Sequence, residues 1–150
     1  MVTVMTRFFT LEQASRLLPE VDRLLRHAVK ARAHYGHAEA ALSTWQVRIA
    51  TMGGMAVDRD SVRGLQETRS AAAQRLQELL QSLTELGVQV KDLDTGLVDF
   101  PTRYCGEDVL LCWRLGEAAI GYWHGPEDGF GGRQRIDAAF LSQHQGGEEQ

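Results

Sequence analysis

The sequence predicts an α+β protein: a long N-terminal antiparallel helical hairpin, its first helix kinked at Pro19, followed by a small antiparallel β-meander of three to four strands. Three observations predict it. Apolar residues recur at helical spacing up to Leu86, the period switches to alternation after Gly87, and short Gly-bearing breaks separate the alternating runs. The chain reads as a single domain, 1–150, with the hairpin over 10–87, the meander over 88–124, and a Gly-rich loop and C-terminal tail over 125–150.

The first helix opens at Thr10-Leu11-Glu12-Gln13, a capping box in which the hydroxyl and the amide three residues on satisfy each other's backbone donors, with Phe9 placed as a staple. Leu11, Ala14, Leu17, Leu18, Val21, Leu24, Leu25 and Ala28 then form one apolar stripe. Pro19 interrupts it, at a cost of about 3 kcal/mol inside a helix. The stripe keeps its phase across the proline, so the reading is a kinked helix, or a short helix running directly into a longer one. It continues more weakly through Tyr35, Leu42, Trp45 and Ile49 until Met52-Gly53-Gly54-Met55 breaks it. The second helix starts near Asp58 and Ser61, either of which can cap it, and carries Val62, Leu65, Ala72, Leu76, Leu79, Leu83 and Leu86 on one face. Gly87 followed by Val88 is a helix stop of Schellman type. Strands are expected over 88–91, 96–104, 108–115 and 119–124, a last helical turn over 136–141, and a frayed end from His144.

Composition sets limits on function. Apolar residues make up 43% and charged residues 24%, ordinary globular values that exclude wholesale disorder. The formal charge of −4 argues against a nucleic-acid or anionic-membrane partner, both of which need a basic surface. Two cysteines, Cys105 and Cys112, form neither a Cys-x-x-Cys pair nor a disulfide framework, so a cytoplasmic location is expected. No run reaches the roughly 18 apolar residues of a membrane helix.

The lengths of the elements bear on partners. A second helix of about 28 residues spans roughly 42 Å, whereas four strands side by side cover only roughly 19 Å. Part of the hairpin must therefore protrude, and the protruding end carries Trp45, Ile49, Met52 and Met55. These four are the candidate interface of a homo-oligomer, a dimer joined through the hairpin. The bland alternative is that Trp45 and Ile49 pack on the second helix and nothing more.

The sheet concentrates the unusual side chains. With Gly106-Glu107 as a two-residue loop, Cys105 faces Asp108, Asp99 faces Arg114, and Phe100 faces Trp113, which then reads as core. Asp99, Arg114, Glu117, His124 and Arg133 are the candidate ligand-binding residues. Cys112 and His124 are the candidate metal ligands, since zinc accepts Cys, His and carboxylate together, and Asp99 and Glu117 are the nearby carboxylates. None of these residues has a recognised ligand spacing, and a buried cysteine is more often a small hydrophobe. His27, His34 and His37 share one helical face, read as solvated. The loop 129–135 offers backbone N–H groups and two guanidiniums to an anion, but reads first as a turn covering the sheet edge. No activated-serine elbow is present.

The segments GVQVKDLDTGLVDFP, LLCWRLGE, YWH and GFGGRQ, with the opening FTLEQASRLLPEV, resemble the uncharacterised prokaryotic family called domain of unknown function 2203. The resemblance spans nearly the whole chain and implies a bacterial, cytosolic protein that is not a fragment. It implies no catalytic residue and no cofactor. It also leads one to expect proline after Gln134, where this chain has Arg135. The functional expectation is a homo-oligomeric binding or scaffold module. The alternative is a small-molecule or metal-binding protein, enzymes included, with its site on the C-terminal sheet.

Overall fold

The computed structural model describes residues 6–51 and 58–148. A short strand β1 (Arg7–Phe8) leads into α1 (Leu11–Thr51), and α2 (Arg59–Glu85) completes the helical hairpin. The capping box forms as expected: Gln13 N–H donates to Thr10 Oγ1 (3.1 Å) and Thr10 N–H to Gln13 Oε1 (2.9 Å). Pro19 lies inside α1, which continues through it as one helix. Ser15 and Pro19 are both exposed, so the carbonyl that loses its partner at the proline opens to water. Asp58 caps α2 by accepting from Ser61 N–H (3.2 Å). At its other end Val88 N–H reaches the Leu83 carbonyl (3.2 Å) and Gly87 N–H the Thr84 carbonyl (2.9 Å), the two bonds of a Schellman stop.

The sheet follows in antiparallel order β2 (Gln89–Asp92), β3 (Leu97–Tyr104), β4 (Glu107–Arg114), β5 (Tyr122–His124) and β6 (Gln134–Arg135). The meander thus gains a fifth, two-residue strand at Gln134. Beyond it come α3 (Ala138–Gln143) and β7 (His144–Gln145), which pairs with the end of β3. Then β8 (Gly147–Glu148) pairs with β1. The tail from His144 to Glu148 is therefore hydrogen-bonded rather than frayed. His144 Nε2 also accepts from Leu11 N–H (2.9 Å), so the tail satisfies a free donor at the start of α1.

The β3–β4 register differs from the expected one by two residues. Tyr104 pairs with Glu107, so the turn is Cys105-Gly106, and Asp99 faces Cys112 while Arg114 faces Leu97. Cys105 (φ 53) and Gly106 (φ 79) both have positive φ, which is the type I′ geometry that matches strand twist. A two-residue slip preserves the faces, so Asp99 and Arg114 still share one side and Phe100 and Trp113 the other.

The inner face of the sheet supplies Val98, Phe100, Val109, Leu111 and Trp113 to a core shared with Val21, Leu25 and Ala28 of α1 and Leu79 and Leu83 of α2. Phe9 meets Phe100 edge-to-face at 5.6 Å, an arrangement that adds about 0.5–1.5 kcal/mol beyond area burial. Alternation puts Leu97, Asp99, Pro101, Leu110, Cys112 and His124 on the outer face, away from the helices. That face is nonetheless buried at all six positions.

Candidate functional site

Three neighbouring strands converge on one buried point of the outer face. Asp99 comes from the middle of β3, Cys112 stands directly across from it on β4, and His124 ends β5 opposite Leu110. Asp99 is 1% exposed, Cys112 0% and His124 4%. A ligand atom from each side chain lies within 4.8 Å of the other two. His124 Nε2 is 3.0 Å from Asp99 Oδ2, and His124 Nδ1–H donates to the Gly125 carbonyl at 2.7 Å. A carbonyl only accepts, so Nδ1 carries the proton and Nε2 is the atom presented to the site. Asp99 Oδ1 is buried without a hydrogen-bond partner. Burial, then the negative charge of Asp99, pushes the Cys112 thiol up to about 12, so it is a neutral thiol in this setting.

A second charged pair borders the first cluster. Arg133 Nη2 donates to Glu117 Oε1 (2.6 Å) and to the backbone carbonyl of Cys112 (3.5 Å). Its guanidinium lies 4.1 Å over Tyr122 and 4.7 Å over Phe130. Burial is the largest single effect on Arg133 and would lower its pKa, but the bond to Glu117 together with the attractions of Cys112 and Glu117 outweighs it, and the net shift is upward. Glu117 is itself held by Arg114 N–H (2.7 Å), and its backbone carbonyl accepts from Trp113 Nε1 (3.0 Å). The end of β4 therefore fixes both the backbone and the carboxylate of Glu117, and the Gly-rich loop delivers Arg133 to it.

Of the residues expected to bind a ligand, Asp99 and His124 meet, and Glu117 and Arg133 meet beside them. Arg114 does not join Asp99. The register that pairs Asp99 with Cys112 places Arg114 further along β4, where its exposed side chain lies over Phe130 at 5.5 Å. The expected metal ligands Cys112 and His124 do come together, with Asp99 as the third member. The residues the sequence reading missed are Gly125, whose carbonyl sets the imidazole tautomer, and Tyr122 and Phe130, whose rings both lie against the Arg133 guanidinium. An aromatic beside a strand-end histidine carries no spacing signal, so nothing in the sequence marked them. His27, His34 and His37 are exposed, as read.

At the far end of the hairpin, burial on α1 stops at Leu42 and burial on α2 starts at Ala72. Trp45 is half-buried, with the Arg48 guanidinium 5.5 Å over its ring. Ile49 is 42% and Val47 62% exposed. Met52 and Met55 lie outside the described residues.

A helical hairpin laid on one face of an antiparallel meander, with an acid, a thiol and an imidazole buried on the other face, defines a small α+β protein with a pre-formed polar centre. Residues 7–136 match the family described as "Uncharacterized conserved protein (DUF2203)", and the chain belongs to that family, as its motifs led one to expect. No curated protein and no solved structure matches it. Among the described residues no helix is long and apolar enough to cross a membrane.

Proposed function

We propose that the protein binds a small ligand or metal ion at the outer face of its sheet, in the cluster of Asp99, Cys112 and His124, with Glu117 and Arg133 as its charged border. The observation that carries this reading is Asp99. A carboxylate that is 1% exposed, with Oδ1 unpartnered, is an expensive thing to keep in a face otherwise lined by Leu97, Pro101 and Leu110. A bound group supplies the partner that the chain does not. Native mass spectrometry of protein purified without affinity tag or chelator tests this. A mass above that of the bare chain is expected, lost in Asp99→Asn while the far-ultraviolet circular dichroism is kept. The bare mass alone, in parent and variant, overturns it.

A second reading is favoured by an independent observation: the helical arm outreaches the sheet. The 41 residues of α1 span about 62 Å, against roughly 27 Å for the eight residues of β3. Apolar side chains continue past the last buried position, Leu42, to Val47 and Ile49. On this reading a second copy of the chain covers the arm and the protein is a homodimer. Size-exclusion chromatography with light scattering would give twice the chain mass, falling to one in Ile49→Asp. A strict monomer at high concentration removes this reading. The two free cysteines, one of them exposed, suit a reducing cytoplasm.

A further inference from the structure

We infer that Asp99, Cys112 and His124 are the protein ligands of a divalent transition-metal centre of the zinc type, a structural clamp across β3, β4 and β5. The inference rests on the reading of the outer face as a ligand site and names what the site takes.

The tautomer comes first. With Nδ1–H committed to the Gly125 carbonyl, a neutral imidazole presents a bare Nε2 towards Asp99 Oδ2, only 3.0 Å away. Two acceptors at that distance repel unless a positive centre lies between them. An imidazolium proton would relieve that one contact. It leaves Asp99 Oδ1 unpartnered and leaves the Cys112 thiol only its hydrogen bond to the Asp99 carboxylate. A metal ion engages all three groups together. The backbone bond from the other ring nitrogen is also what orients a ligating histidine.

Charge balance agrees. Burying net charge is costly, so a dry centre should sum to zero. A divalent ion with one aspartate, one thiolate and one neutral imidazole does so. The Glu117–Arg133 ion pair beside it is neutral by itself and leaves the balance unchanged.

Distances and donor chemistry narrow the metal. Zinc bonded at about 2.0–2.1 Å to nitrogen and oxygen and about 2.3 Å to sulfur holds tetrahedral neighbours about 3.3–3.6 Å apart. The imidazole and carboxylate atoms are already 3.0 Å apart, and the sulfur, within 4.8 Å of both, needs to close by no more than about 1.2 Å. A sulfur–nitrogen–oxygen set favours zinc and its neighbours over magnesium or calcium, which take oxygen alone. Asp99 Oδ1 belongs to the same carboxylate and is buried without a partner, so it is free for a second contact, and the burial of all three side chains fits a structural role.

Zinc(II) and cobalt(II) are the probes for the test, applied to full-length, untagged protein stripped with chelator. One zinc per chain is expected to bind and to raise the melting temperature by roughly 5–10 °C at a hundredfold excess over its dissociation constant. Cobalt(II) is expected to give a thiolate-to-cobalt charge-transfer band that disappears in Cys112→Ser and persists in Cys105→Ser. Zinc affinity in Cys112→Ser should fall by at least about a hundredfold, since even outer-shell changes cost 10–100-fold. No charge-transfer band and no zinc-dependent melting shift in the parent overturns the metal assignment. If native mass spectrometry then still finds an organic mass that Asp99→Asn loses, the ligand site stands and the metal falls. If it finds none, both fall.

Discussion

Replacing Cys105 by asparagine should make the protein more stable, and the reason reaches the buried cluster. Cys105 is exposed and sits at φ 53, followed by Gly106 at φ 79. A residue with a Cβ in that left-handed region costs roughly 1–2 kcal/mol, and asparagine tolerates it better than most. The first position of a type I′ hairpin turn favours asparagine for that reason. With no buried side chain lost, the expected gain is about 0.5–1 kcal/mol, a rise of roughly 1–4 °C in melting temperature for a chain of this size. Gly106→Ala supplies the opposite sign. Space around Gly106 is open, so the cost of about 1 kcal/mol is purely conformational. Thermal unfolding under reducing conditions reads both. Were the turn at Gly106-Glu107 instead, residue 105 would be an extended strand position and asparagine would weaken it. A lowered melting point for Cys105→Asn would therefore refute the register, and with it the pairing that brings Asp99 to Cys112.

Three further outcomes are expected. Phe140, 1% exposed, stacks on Tyr104 (4.8 Å) and Trp123 (5.1 Å), so Phe140→Ala should cost about 3–5 kcal/mol in urea unfolding; a loss below 1 kcal/mol would mean that α3 does not seal the sheet. In native protein a thiol reagent should modify Cys105 promptly and Cys112 only on unfolding, because Cys112 is sealed and its thiol is pushed up to about 12; equal rates would contradict the burial. Asp58 has its carboxyl lowered, first by the Ser61 hydroxyl and then by Ser61 N–H, so its contribution exists above the ordinary carboxylate pKa and fades as pH falls through the lowered value; the gap in helix stability between parent and Asp58→Ala should be open at neutrality and narrow in acid, and a gap independent of pH would deny the cap its charge.

The helical half of the molecule was legible because its signals are local. A capping box needs only Thr10 and Gln13, and a Schellman stop needs only the residues around Gly87, so sequence and structure agree there to the hydrogen bond. The sheet was legible in its faces and not in its pairings. Alternation assigns Asp99 and Cys112 to one side whatever the turn, but the turn itself depends on a cysteine adopting positive φ, which no Asn-Gly or Asp-Gly dipeptide announced. The two-residue strands β1, β6, β7 and β8 were invisible for a different reason. They exist only because distant segments meet, as when the tail supplies His144 to the start of α1. The cluster was half-legible: its residue types stood out, but their convergence needs three strands in register.

That convergence also separates a site from an accident of packing. The inner face is filled by apolar side chains that any helix-covered sheet requires, apart from Thr102, whose hydroxyl donates to the Gln145 carbonyl at 3.2 Å. The outer face is equally dry at its centre, so the same physics would favour leucine or valine at positions 99 and 124. A buried polar pair, even a charged one, is commonly no more stable than an apolar replacement of similar size. An orphaned carboxylate oxygen adds a further penalty of about 1–3 kcal/mol. Asp99, Cys112 and His124 thus weaken the fold they sit in, unless something that the chain itself does not contain completes them. Local sequence rules fail where function constrains a protein, and on the outer face of this sheet they fail where β3, β4 and β5 bring Asp99, Cys112 and His124 together.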